Sequence, residues 1–162
     1  MAQQKQPQLF ELLKKDHREV DQLLSQLEGG SEDQREELFS TLQEEFTEHC
    51  QLEEKFFYPQ MKKINELKDL VQDALEEHSQ AKELLVQLED VIDDDDEFQS
   101  ALSEFKESVQ HHVKEEESKV FKRTSDFISD DQLRDIAMKC MQEKEKLHPS
   151  PSGGGGSKKK SR

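Results

Sequence analysis

Four stretches of this chain carry apolar residues at steps of three and four, and each stretch is interrupted near its middle by a histidine or glutamate on the apolar seam. In the first, Phe10, Leu13, Val20, Leu24 and Leu27 share the seam with His17, and Gly29-Gly30 follows as a stop. Ser31 is placed to cap the second, where Phe39, Leu42, Phe46 and Phe56 share the seam with His49 and Glu53 up to Pro59. The third runs Leu67, Val71, Ala74, His78, Ala81, Leu85 and Leu88. The fourth runs Phe98, Leu102, Phe105, Val109, His112 and Glu116 to about Phe121, behind an Asp93–Asp96 run that reads as a solvated loop and helix cap. A glutamate in a dry core costs several kcal/mol unless it is paired or bound to metal. Six such groups at similar depth on four helices therefore demand a common partner.

These spacings predict an all-α chain, an antiparallel up-down four-helix bundle. A short fifth helix, about Asp130 to Lys146, turns Leu133, Ile136, Ala137, Cys140 and Met141 to one face and packs across the outside. Residues 1–147 form one domain. From His148 the composition changes to Pro-Ser, four glycines and a basic end, so 148–162 reads as a disordered tail. Hydrophobic residues make up only 31% of the chain, so this fold depends on their seam placement. The halves repeat: Asp16-His17 to Leu24 matches Glu77-His78 to Leu85, and His49 to Glu54 matches His112 to Glu117. The net charge of −15 argues against a nucleic-acid partner and an anionic membrane. No apolar run is long enough to span a bilayer and Met1–Pro7 lacks a signal core, which predicts a cytoplasmic location. Cys50 and Cys140 read as reduced, packed thiols.

The pairs His49/Glu53 and His112/Glu116 are four apart, so each pair shares a helix face, with Cβ atoms about 6 Å apart. Each pair can serve one cation, or the glutamates can bridge two. Mixed imidazole and carboxylate ligands suit iron, manganese or zinc. His17, His49, Glu53, His78, His112 and Glu116 are the candidate metal ligands. His111 sits one position off the seam and faces solvent. Glu54, Glu115 and Glu117 read as a solvated helix face. The Glu-x-x-His motif of ferritin-like di-iron bundles is absent, because Lys14, Phe46, Leu75 and Val109 precede the four histidines by three.

The order His, His-x-x-x-Glu, His, His-x-x-x-Glu resembles the hemerythrin-like family, the HHE cation-binding domains, over about residues 8–125, including Glu53 to Pro59. That resemblance implies two non-haem irons bridged by an oxo or hydroxo group and by Glu53 and Glu116, with the histidines as terminal ligands. Oxygen-carrying hemerythrins have a His-x-x-x-His pair on the third helix, and here Ala74 stands four before His78. The departure leaves a coordination position for chemistry and weakens an oxygen-storage reading. The expected function is binding of, or reaction with, dioxygen, hydrogen peroxide or nitric oxide, up to catalase-like peroxide decomposition, with Tyr58 and Cys50 as accessory redox groups. The alternative is an iron- or oxygen-responsive module whose folded state a protein partner reads.

Overall fold

The computed structural model describes residues 7–149. Among these residues all regular structure is helical: α1 (Gln8–Gly29), α2 (Glu32–Leu52), α3 (Tyr58–Lys62), α4 (Lys68–Asp90), α5 (Asp95–Glu115), α6 (Phe121–Phe127) and α7 (Asp130–Leu147). Two π-helical segments, Glu53–Phe57 and Glu116–Val120, join α2 to α3 and α5 to α6 without a break, and a 3₁₀ turn, Asn65–Leu67, leads into α4. The tail expected at 148–162 lies, from residue 150 on, outside the described residues.

Local sequence sets the ends of these helices. Gly30 closes α1 in an extended conformation, where a Cβ would come within 2.6 Å of the Gln26 carbonyl oxygen. Ser31 holds the N-cap position of α2, but its side chain makes no capping bond, contrary to the sequence expectation. Asp94 does cap α5, accepting from the Glu97 amide, which agrees with the capping role read for the Asp93–Asp96 run. Ser129 and Gln132 form a reciprocal capping box at α7. Pro59 does not end the second helix as expected. It falls in the first turn of α3, where a missing N–H costs least, and the chain stays helical to Lys62.

α1 packs on α2, α4 on α5, α1 on α5 and α2 on α4, closing a ring of four long helices. Between α1 and α5, Glu28 meets Lys106 and Asp21 meets Gln110, and His17 meets Glu117 in the π segment that follows α5. Two apolar clusters fill the ring. One gathers Leu9, Phe10 and Leu13 with Phe57, Met61, Val71 and Phe121. The other gathers Val20, Leu24 and Leu27 with Phe39, Phe46, Leu85, Leu102 and Phe105. Each fully buried Leu or Phe contributes roughly 1.5–3 kcal/mol. On α1, α4 and α5 the seam histidine falls between residues of the two clusters, and on α2 His49 lies within two residues of the same change, so the polar groups form one layer sandwiched by hydrocarbon.

α7 covers this layer from one side, packing on α1 and the first π segment. Leu133, Ile136, Ala137 and Cys140 are buried there, whereas Met141 is 37% exposed and does not join the face assigned to it from sequence. Cys50 and Cys140 are both free and buried, as expected.

Candidate metal centre

The two glutamates of the layer each begin a π segment. The amide of Tyr58 bonds back to the Glu53 carbonyl, and that of Phe121 to the Glu116 carbonyl, five residues away in each case. Such widened turns within α-helices recur at functional sites. Glu53 and Glu116 are completely buried, and His17, His49, His78 and His112 are 1–6% exposed.

All four histidines turn Nε2 inward. His17 Nε2 lies 3.0 Å from Glu116 Oε1, and His78 Nε2 lies 3.0 Å from Glu53 Oε1. His112 Nε2 is 3.8 Å from Glu116 and 3.9 Å from Glu53. His49 Nε2 is 3.4 Å from Glu53 Oε1 and has no hydrogen-bond partner, and neither has Glu53 Oε2. The rings pair within each half, His17 with His49 at 4.8 Å and His78 with His112 at 4.7 Å. His17, His49, Glu53 and Glu116 offer donor atoms within 4.8 Å of one another, and so do Glu53, His78 and His112. Orphaned buried lone pairs are costly, and a cation would satisfy them. All six residues named from sequence are thus brought together. His111 is not: its side chain is 64% exposed and lies 3.5 Å from Glu77.

Every Nδ1 points outward to a carboxylate. His17 donates to Glu117 at 2.7 Å, His78 to Glu54 at 2.7 Å, His112 to Glu77 at 2.7 Å and His49 to Asp16 at 3.0 Å. Such a bond puts the proton on Nδ1 and leaves the Nε2 lone pair free to coordinate. Glu54 and Glu117 are therefore not merely a solvated face. Each sits one residue after a buried glutamate, and the widened turn lets its neighbour reach the next helix. Asp16 and Glu77 each precede a seam histidine and hold the histidine of the other helix in their half. The repeated Asp/Glu-His and Glu-Glu pairs were visible as sequence, but helical spacing alone gave them no inward partner.

The fifth helix also does more than cover the bundle. Lys144 of α7 donates to Asp16 at 2.7 Å, so α7 supports His49 through one intervening carboxylate. Tyr58, from α3, puts its hydroxyl 2.6 Å from Glu116 Oε2, 3.0 Å from Glu53 Oε1 and 3.4 Å from His78 Nε2. It stands at the middle of the layer rather than behind it.

The charges are mutually adjusted. Burial opposes a charged His17, but Glu116 and Glu117 raise it to about 9. Burial likewise opposes charge on His112 and His78, yet Glu116, Glu53 and Glu77 raise His112 to about 10, and Cys50, Glu53 and Glu54 raise His78 to about 12. Burial disfavours ionised Glu53, but His49, His112 and His78 hold its carboxyl well below the usual range. Burial, together with Glu116 and Glu53, pushes the Tyr58 hydroxyl well up. Without a cation, protonated imidazoles balance the carboxylates, so a metal must displace protons to bind.

A helical protein with a buried layer of imidazoles and carboxylates, each imidazole oriented by an outer acid, is a cation-binding bundle in class. The chain belongs to the hemerythrin family: the model for the hemerythrin HHE cation binding domain matches residues 8–124. It is also similar to a protein of Nostoc sp. (strain PCC 7120) described as a DNA nickase, 26% identical over 144 residues. That match covers 88% of this chain but only 41% of the relative, so the chain spans less than half of the relative's length. The relative's description runs against the expectation of no nucleic-acid partner. No solved structure matches the chain.

Proposed function

We propose that the chain is a non-haem di-iron protein that binds or reacts with a small oxidant, namely dioxygen, hydrogen peroxide or nitric oxide. The observation that carries the reading is the convergence of four Nε2 atoms on two buried carboxylates, with His49 Nε2 and Glu53 Oε2 left without partners. His17, His49, Glu53 and Glu116 would hold one ion and Glu53, His78 and His112 the other, Glu53 being common to both donor groups. An antiparallel up-down four-helix bundle suits this assignment and is supported by the opposed numbering of the α1–α5 pairs. Two adjacent irons would supply paired one-electron steps to a small oxidant.

The chain's own residues do the rest. The two apolar clusters exclude water, the four outer carboxylates fix the imidazole tautomers, and Tyr58 holds a proton between the two carboxylates. Among the described residues no helix is long and apolar enough to cross a membrane, which is consistent with a cytoplasmic protein. The test is metal analysis and the optical spectrum of protein produced in iron-rich medium, then peroxide addition with oxygen recorded. Two irons per chain and oxygen release support catalase-like decomposition. Two irons without turnover support the alternative, a sensor read by a partner. Stoichiometric zinc without iron refutes the di-iron reading.

The nickase relative favours a second reading, in which paired cations at the same carboxylates assist phosphodiester cleavage. The net charge of −15 opposes the approach of a nucleic acid. Supercoiled plasmid incubated with metal-loaded protein decides it: conversion to open circles that Glu53→Gln abolishes would support nicking.

A further inference from the structure

His78, whose outward Nδ1 meets Glu54, also has the Cys50 thiol nearby, a donor that the central layer does not use. Cys50 Sγ, a carboxylate oxygen of Glu54 and a ring nitrogen of His78 all lie within 4.8 Å of one another. Cys50 and His78 are buried, at 0% and 1%, while the Glu54 side chain is 30% exposed. Cys50 and Glu54 are four apart across the α2–π junction, so they share one helix face, and His78 reaches them from α4. A surface cavity of about 450 Å³ opens over Glu54, lined by Thr47, Gln51, Lys55 and Lys82. It reaches Glu54 from the solvent side and leaves room there for a water ligand.

The internal repeat makes this arrangement specific to one half. In the second half Glu117 bonds His17 Nδ1 as Glu54 bonds His78 Nδ1, but Val113 stands where Cys50 does. Valine would fill the position as packing, so the thiol is not required by the shared architecture. We propose that Cys50, Glu54 and His78 Nδ1 form a second metal site, selective for a thiophilic divalent cation of the zinc class, that competes with the central layer for His78. Sulfur, imidazole and carboxylate are the donors zinc takes, at about 2.0–2.3 Å, with ligand atoms roughly 3.5 Å apart in a tetrahedron. The donor atoms, all within 4.8 Å of one another, would close by about 1 Å at most to reach that spacing. The competition follows from the ring. A neutral imidazole has one lone pair: outer metal on Nδ1 puts the proton on Nε2, which then cannot serve the centre beside Glu53. Lys82 Nζ, 3.1 Å from Glu54 Oε2 and 43% exposed, is the resident counter-charge that the metal displaces.

Cobalt(II), a spectroscopic stand-in for zinc, reads the site directly because only a thiolate ligand gives a sulfur-to-metal charge-transfer band. The expected result is that metal-free protein titrated with cobalt develops this near-ultraviolet band, zinc removes it, and Cys50→Ser abolishes it. Lys82→Gln should tighten cobalt binding by about two- to fivefold, the worth of an exposed ion pair. Val113→Cys should add a second band of similar strength from the other half. Protein preloaded with central metal should require more cobalt to reach the same band. A parent protein that binds cobalt with no thiolate band overturns the proposal, and so does a band that survives Cys50→Ser. Should Cys50→Ser fail to fold by circular dichroism, Glu54→Ala serves in its place, and an unchanged cobalt affinity there is equally fatal. Central metal is counted separately in Glu53→Gln, so loss of that reading leaves the thiolate result to stand or fall alone.

Discussion

Glu77 tests whether the outer carboxylates tune the centre. Its Oε1 lies 2.7 Å from His112 Nδ1, and its side chain is only 23% exposed. Glu77→Ala leaves His112 with an Nδ1–H that has lost its charged acceptor, free to rotate or to change tautomer. Loss of such a partner lowers metal affinity about 10–100-fold, which is about 1.4–2.7 kcal/mol of binding free energy. The Glu77 carboxyl is held below its usual range first by its bond to His112, so the coupling is already present in the metal-free protein. Glu77→Gln keeps an acceptor oxygen but no charge, and should fall by about tenfold or less. Glu76 next door is exposed, with only a 3.4 Å contact from Gln72, so Glu76→Ala is the control and should bind as the parent does. Affinity is measured by anaerobic competition with a chromophoric chelator, alongside a melt of each metal-free variant. If both Glu77 variants bind within twofold of the parent, Nδ1 orientation is not what prepares these histidines.

The metal-free protein should lose stability as pH rises. His17, His112 and His78 are raised from 6.5 to about 9, 10 and 12, so their contribution is complete below pH 6.5 and is lost as pH climbs through those values. The metal-loaded protein should respond oppositely over pH 6–8, because metal competes with protons there; a metal-free melting temperature that rises between pH 7 and 9.5 would contradict this. Lys144→Ala should weaken metal binding severalfold through Asp16 and His49 without changing metal count, and a result equal to the parent in both affinity and melt would show that α7 merely covers the site.

The four long helices, most of the seam and all six inward residues could be read from spacing because each depends on a period that the sequence displays, but past Glu53 the π turn buries Phe57 where the α-helical period had put Phe56. The outer shell could not. Glu54 and Glu117 lie about 100° round the helix from Glu53 and Glu116, which on a regular α-helix points them away from the seam. The π segments widen the turn at these residues, and no residue preference in Glu53–Phe57 or Glu116–Val120 announces one. The helix past Pro59 was missed for the same reason, since an α-helical register makes proline a stop. Asp16 and Glu77 were legible only as a repeat, a sign that both halves use them alike, and their partners on α2 and α5 required the fold.

Ala74 looked, from sequence, like the place where a missing ligand leaves the centre open. Ala74 is buried and lies one turn before His78, in the same apolar cluster as Tyr58. The Tyr58 hydroxyl lies within 3.4 Å of His78 Nε2 and closer still to both carboxylates, so the room next to His78 is taken by a phenol. The two residues therefore act as a pair. Ala74→His alone adds a ring to a filled core, and should cost about 1–3 kcal/mol by overpacking. Tyr58→Phe alone removes a buried hydroxyl with two carboxylate partners, at a cost of about 1–3 kcal/mol in the metal-free protein. Combined, the new imidazole can take the ground the hydroxyl gave up, so with all four proteins melted metal-free the double variant should be more stable than the two single losses sum to. A double-mutant cycle on the melts measures that coupling. Strict additivity would mean that the phenol does not occupy the position a histidine at 74 would use, and the open-position argument would return to Ala74 as it stood.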